Sequence, residues 1–421
     1  MLYFPFSETT PEKRAAPRWQ PRTDIEGLAM NRFTSPGWRL AAIVLVGLNL
    51  RPALAAVGPL LDMIQRATDI GDGAASLLTT IPILLMGLGA LSARRLQRIT
   101  GIAGGVWLGV ALIGLACASR AGAQHAWLLL ASACCAGVGI AMVQALLPGF
   151  VKAHFATRIG GAMGVYSTSI MGGAVLASVI APFAAARWGW LAALAGWALP
   201  AALAALAWPL ASRGSDALSA GPVSVSNARP SRSPRAWRLA LFFGIATGAY
   251  TLVLAWLPPY YMRLGWSPTA AGSLLGGVTL AEVVAGLTIS ATIDRLPDRR
   301  PALHAAIASL CVGLLVMLAA PDALALPAAL LLGAGIGALF PLSLIVTVDH
   351  AATPADAASL TGFVQGVGYL IAGLFPFAAG IVRQQLADLT PAWIAMACLC
   401  VVLFALAAGL APKLARHVAQ A

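Results

Sequence analysis

Charge is scarce in this chain. Asp, Glu, Lys and Arg together make up only 10% of its 421 residues, where a soluble protein carries about 25%. Lysine is rarer still: Lys13, Lys152 and Lys413 are the whole set, and none follows a glycine as a phosphate-cradling loop requires. That counts against an ATP-driven pump. The five histidines, His125, His154, His304, His350 and His417, are scattered and form no HExxH pair, which counts against a membrane metalloenzyme. No nucleophile motif supports a Ser–His hydrolase. The six cysteines, Cys117, Cys134, Cys135, Cys311, Cys398 and Cys400, all fall inside apolar runs without metal-ligand spacing. They read as small core residues rather than as disulfides or ligands. The expectation is a protein that is not an enzyme and has no cofactor and no metal site.

What the chain has instead is apolar length. It is 59% hydrophobic, with a mean hydropathy of +0.83. A bilayer crossing needs about 20 apolar residues, and such runs recur about twelve times. They lie near 38–64, 74–94, 102–119, 126–148, 159–185, 188–211, 238–262, 268–291, 302–320, 327–348, 357–382 and 390–411. The fold class is therefore an all-α membrane protein of two six-helix bundles, 36–211 and 238–412. A Ser-, Pro-, Gly- and Arg-rich stretch at 212–237 is the linker between them, and 413–421 a short tail. Residues 1–35 are polar and of mixed charge, without the shape of a signal peptide. They are expected to form a disordered cytoplasmic extension, and Met30, just before the apolar pattern, is a possible start.

The net charge of +12 does not point to nucleic acid, because the basic residues lie in loops and tails without interleaved aromatics. They report orientation instead. With the N-terminus inside, 21 of the 27 lysines and arginines fall on the cytoplasmic side, and five (Arg66, Arg120, Arg187, Arg263 and Arg383) fall on the outer side. Arg51 alone is left in the membrane. This places both termini inside and agrees with an even number of crossings.

The halves repeat. Ser35-Pro36-Gly37-Trp38-Arg39-Leu40-Ala41 resembles Ser233-Pro234-Arg235-Ala236-Trp237-Arg238-Leu239-Ala240, and aligning the tryptophans sets Pro59 on Pro258 and Arg51 on Tyr250. Ser76-Leu77-Leu78 then matches Ser273-Leu274-Leu275, Gly137-Val138-Gly139-Ile140 matches Gly333-Ala334-Gly335-Ile336, and Pro182-Phe183-Ala184-Ala185 matches Pro376-Phe377-Ala378-Ala379. Parallel six-helix repeats are the build of a secondary transporter with its site at the midplane.

Arg51 sits mid-run, followed at once by Pro52. The proline leaves the Leu48 carbonyl without its helix partner, and Pro59 does the same to Ala55. A permanent cation at that depth costs roughly 2.5–3.5 kcal/mol on insertion scales and normally faces a polar cavity. Arg51 is thus expected to receive an anionic or strongly dipolar substrate, the alternative being internal pairing with an acid or with helix carbonyls. Glu282 lies in the eighth run among Leu280, Ala281, Val283 and Val284, and desolvation suits it to take and release a proton. Tyr250, Tyr166, Gln144 and the i, i+4 pair Gln365 and Tyr369 can contact substrate or bond between helices. Trp256 is a candidate for the outer cavity wall, Asp62 reads as a solvated or gating residue, and Asn49 as structural.

After the eighth run, Gly286 to Arg300 reads GLTISATIDRLPDRR. Asp294 followed by Arg295 suits a cytoplasmic latch. The first-half loop, GALSARRLQR, keeps Arg94 and Arg95 but lacks the acid.

These features resemble the major facilitator superfamily. Asn49-Leu50-Arg51-Pro52 with Gly58-Pro59-Leu60-Leu61, and Leu147-Pro148-Gly149-Phe150-Val151-Lys152 with Gly161, Met163 and Gly164-Val165-Tyr166, resemble its cyanate and nitroimidazole transporter family. The likeness runs from about residue 36 to the C-terminus. The missing acid departs from the general superfamily pattern. The resemblance implies a small anion such as cyanate, or a compact nitrogen heterocycle, as the substrate class. The expected function is an inner-membrane secondary transporter of a small anion, and Glu282 adds the expectation of coupling to protons. The alternatives are an exporter of a compact nitrogen heterocycle and a non-transporting sensor on the same fold. The expected partners are the small-molecule substrate, protons and the lipid bilayer, with no nucleic acid, and the chain is expected to be a monomer.

Overall fold

The computed structural model describes residues 35–155, 158–213, 230–296, 298–351 and 353–410, apart from the side chains at 294, 354 and 355. The expected N-terminal extension and C-terminal tail, and most of the expected linker, lie outside the described residues. Every regular element among the described residues is helical. The first half holds α1 (Pro36–Leu48), α2 (Pro52–Ala55), α3 (Val57–Thr68), α4 (Asp72–Leu91), α5 (Ala93–Thr100), α6 (Ile102–Ser119), α7 (Ala126–His154), α8 (Ile159–Ala195) and α9 (Ala198–Ala211). The second half holds α10 (Pro234–Arg263), α11 (Pro268–Thr292), α12 (Arg300–Ala319), α13 (Ala325–Asp349), α14 (Pro354–Leu386) and α15 (Thr390–Ala408).

Local chemistry sets several of the starts. Ser35 precedes Pro36 and its hydroxyl accepts from the Trp38 N–H at 3.3 Å. Ser267 precedes Pro268 and accepts from the Ala270 N–H at 3.2 Å. A hydroxyl cap followed by proline satisfies one orphan donor and pre-sets φ for the first turn. Eleven helical stretches are long and apolar enough to cross a bilayer. One of these runs for 53 residues, Ile159–Ala211. A straight helix of that length would measure ~80 Å, against a hydrocarbon core of about 30 Å. It turns instead at Gly189, whose φ of 85° is left-handed territory open to glycine. The stretch therefore holds two of the twelve expected crossings.

The first crossing is also interrupted. The helix stops at Leu48, and Asn49, Leu50 and Arg51 leave the regular ladder before α2 begins at Pro52. The freed Leu48 carbonyl points into α8, and a Cβ on Gly173 would lie 2.2 Å from that oxygen. Only glycine lets the two backbones approach this closely. Asn49 is structural: its Nδ2 donates to Leu45 O at 2.7 Å and to Pro200 O of α9 at 3.1 Å.

Two long helix pairs form the seam between the halves, α4 against α14 and α8 against α11, with α2 and α3 packed on α10. Small residues line these contacts, as membrane helices require for close packing: Gly380 meets Ser76, and Gly272 meets the Ser178 carbonyl. The α10 crossing is 94% buried and forms the central element of the second bundle.

Replacing Gly173 by Leu should destabilise the protein by about 1–3 kcal/mol, the usual size of an overpacking effect. Gly104→Ala, where a Cβ meets nothing within 4 Å, should leave stability unchanged or slightly raised. Thermal unfolding of the purified protein in detergent, followed by tryptophan fluorescence, measures both.

Candidate functional site

The interruption of the first crossing decides where Arg51 goes. Its carbonyl accepts from the N–H groups of Leu54 and Ala55 at 3.0 and 2.9 Å, capping α2. Its side chain is 4% exposed. The guanidinium lies 5.2 Å from the ring centroid of Tyr250, close enough for a cation–π contact. Tyr250 is the residue that the repeat alignment sets against Arg51, and α10 brings the two together. Tyr369 of α14, Tyr166 of α8 and Glu282 of α11 also lie within electrostatic reach of the guanidinium. Four helices and the broken segment therefore converge on one charge.

Polar atoms in this group lack protein partners. Arg51 Nε, Tyr166 Oη, Tyr250 Oη and Glu282 Oε2 are all buried and accept or donate no hydrogen bond among the described residues. Buried polar groups are ordinarily satisfied, and these four atoms stand without a protein partner in one cluster. No carboxylate lies within ion-pairing distance of Arg51 among the described residues. Glu282 is 5% exposed and near enough to feel the charge without closing a salt bridge.

The remaining sequence candidates are placed differently. Gln144 lies on α7, and its Oε1 is buried without a partner. It stands seven residues beyond Gly137, which packs on Pro82 of α4. Gln365 is half-buried on α14, one turn before Tyr369, whose ring meets Phe243 edge-on at 5.4 Å. Trp256, expected on the outer cavity wall, lies toward the far end. Its Nε1 donates to Pro376 O at 2.9 Å, and the Arg383 guanidinium covers its ring at 5.5 Å.

That far end, away from the starts of α1 and α10, carries a second polar cluster. Arg383 of α14 reaches across the seam to Asp62 of α3 at 3.3 Å and to Asp72 of α4 at 3.4 Å. Beside it, Gln384 Oε1 accepts from the Gly73 N–H at 3.0 Å. These ion pairs and the Gln384–Gly73 bond tie the two halves together at this end.

At the near end, the side chain of Asp294 lies outside the described residues, and Arg295 is exposed. The neighbouring arginine, Arg299, is tied down. It bonds to the carbonyls of Ile293 and Leu296 and pairs with Asp349 of α13 at 3.3 Å. Arg300 donates to Asp298 and holds that carboxyl below the usual carboxylate range. Arg94 and Arg95 stand exposed on α5, a helix that the sequence reading treated as loop.

Sequence reasoning missed several residues. Thr80 on α4 is a buried hydroxyl without a partner, and its position inside an apolar run was the available signal. Arg120, expected on the outer side, is 2% exposed. Nothing in its neighbourhood in sequence distinguishes it from a loop arginine. Asp72 and Arg383 are 311 residues apart, so their pairing has no local signature.

Comparison with known proteins agrees with this arrangement. The model of the Major Facilitator Superfamily matches residues 40–376 and, in a second match, 239–418. The chain is 36% identical to the cyanate transport protein CynX of Escherichia coli (strain K12), over 86% of this chain and 94% of that protein. It is 32% identical to the 2-nitroimidazole transporter of the same organism, over 80% and 86%. It is 27% identical to the uncharacterized transporter YycB of Bacillus subtilis (strain 168), over 84% and 89%. Among solved structures, the crystal structure of a D-xylose-proton symporter superposes with a TM-score of 0.76 at 14% identity, covering 90% of this chain and 98% of that one. That likeness speaks to the fold. With twelve crossings in two bundles and relatives matching almost end to end, this chain belongs to the Major Facilitator Superfamily, beside its cyanate and 2-nitroimidazole transporters.

Proposed function

We propose that this protein is a secondary active transporter that moves a small anion of the cyanate class across the inner membrane by alternating access. The observation that carries the reading is the Arg51 guanidinium, buried, without a carboxylate partner, and surrounded by tyrosine hydroxyls with no protein partner. Removing a cation from water costs several kcal/mol unless a counter-charge meets it. A small anion at Arg51 supplies that charge, and Tyr166 and Tyr250 can donate to its remaining oxygen or nitrogen atoms. Gln365, Tyr369 and Gln144 extend the wall of the site.

Glu282 is the proposed proton carrier. With the site empty, the charges of Arg51 and Glu282 attract. An anion bound at Arg51 offsets that attraction, and protonation of Glu282 then becomes easier. Anion and proton consequently travel together. Arg383 with Asp62 and Asp72 serves as the far-end gate, which must part before the site opens to that side. The basic residues counted in the loops support cytoplasmic termini, and the chain works in the bilayer as a monomer. Asp294, Arg295, Arg94 and Arg95 belong to the cytoplasmic latch on this reading.

A second reading is export of a compact nitrogen heterocycle. It draws support from the tyrosines around Arg51, whose rings can stack on a heteroaromatic, and from the 32% identity to the 2-nitroimidazole transporter. A sensor on the same fold is separated from both by saturable flux in proteoliposomes.

Arg51→Ala should lower cyanate uptake into proteoliposomes at least about thirtyfold, the equivalent of roughly 2 kcal/mol. Efflux of 2-nitroimidazole should change far less. Equal losses for both compounds would refute the anion assignment. Glu282→Gln should abolish accumulation driven by a proton gradient while preserving counterflow exchange, and undiminished accumulation would count against the coupling. Asp62→Asn with Asp72→Asn should loosen the far end. A cysteine placed at Leu61 should then react with a membrane-impermeant maleimide from that side roughly two- to fivefold faster.

A further inference from the structure

Arg120 closes α6 at the far end of its crossing, and its environment is unusual for a cation. It is 2% exposed. Its Nε donates to Ser132 Oγ at 3.0 Å, and one terminal nitrogen donates to the Ala53 carbonyl at 3.0 Å. The Ser132 hydroxyl in turn donates to Leu129 O at 2.7 Å. No acid pairs with Arg120 among the described residues. Ala53 lies in the four-residue α2, two positions after Arg51. The other end of that interruption is fixed by Asn49 on Pro200 O and by the Leu48 carbonyl against Gly173. Arg120 thus holds the free side of the segment that aims Arg51.

A neutral amide could satisfy one carbonyl without the burden of a desolvated charge. An arginine kept here without a carboxylate brings something the carbonyl alone does not need, namely positive potential beside the bent segment. We propose that Arg120 is a positioning residue for anion recognition. It acts through the Ala53 carbonyl to fix α2 and Arg51, and it adds a second uncompensated positive charge to that region. This rests on the reading of Arg51 as the anion receptor.

The test uses the full chain, purified and in proteoliposomes, with sodium cyanate as the probe at constant ionic strength. Arg120→Gln keeps one donor and removes the charge, whereas Arg120→Lys keeps the charge. The Gln variant should bind cyanate about tenfold more weakly, the loss expected for one charge-assisted hydrogen bond. Its maximal transport rate should stay within about threefold of wild type, so that the loss falls on KM. The Lys variant should recover most of the affinity. In an Arg51→Lys background, Arg120→Gln should cost less than about twofold further, because both residues act on one contact. Wild-type affinity in Arg120→Gln, or fully additive losses in the double variant, would overturn the proposal while leaving Arg51 as the receptor. Wild-type protein that neither binds nor transports cyanate would defeat both. Should Arg120→Gln fold poorly by its unfolding temperature, Ser132→Ala removes the Nε partner alone. A roughly threefold weaker affinity there supports the proposal, and none opposes it.

Discussion

A guanidinium held inside the bundle without an acid to neutralise it is the constraint on which this structure turns. Uncompensated charge in a low-dielectric interior is expensive, and the fold meets that cost with geometry. The first crossing gives up its regular ladder at Asn49, Leu50 and Arg51. Tyr250 places its ring beside the charge, and Glu282 stands near without closing a salt bridge. Irregular backbone at membrane depth is tolerated only where it is buried in protein or lines a cavity. Here Gly173 lies against the freed Leu48 carbonyl, Arg120 donates to the Ala53 carbonyl, and the Asn49 side chain donates to Pro200 O.

The two halves answer the same sequence pattern differently. In the first, the arginine is followed by proline and the helix breaks. In the second, Tyr250 is followed by Thr251, and α10 runs unbroken for 30 residues. Thr251 even bonds outward from the helix, donating to Ala372 O of α14 at 2.9 Å. One crossing of each related pair thus became the charged, bent partner and the other the straight, buried support. At the contact between them, Gly58 sits against the carbonyls of Leu254 and Ala255, so the repeat mates pack directly on one another.

Ion pairs join the halves at the far end. Arg383, Asp62, Asp72, Gln384 and Gly73 tie the halves at the far end, while the near end carries its ion pairs within the second bundle, as Arg299 with Asp349 does. On the proposed reading, the far-end contacts are what the substrate and proton must act against.

The sequence by itself determined the crossings. Apolar length has a fixed relation to bilayer thickness, and hydroxyl-proline pairs mark starts locally, so most expected runs lie within about four residues of the observed helices, while the run at 126–148 extends to His154 and the first is broken at 49–51. It also singled out Arg51, Glu282 and the tyrosines, because a polar side chain in an apolar run is conspicuous without any structure. What only the tertiary structure decided is which of these meet. Trp256 and Arg383 form part of the far-end packing, and Arg120, indistinguishable in sequence from a loop charge, is buried beside the bend. Those outcomes depend on contacts between residues tens to hundreds of positions apart, and no local periodicity encodes them.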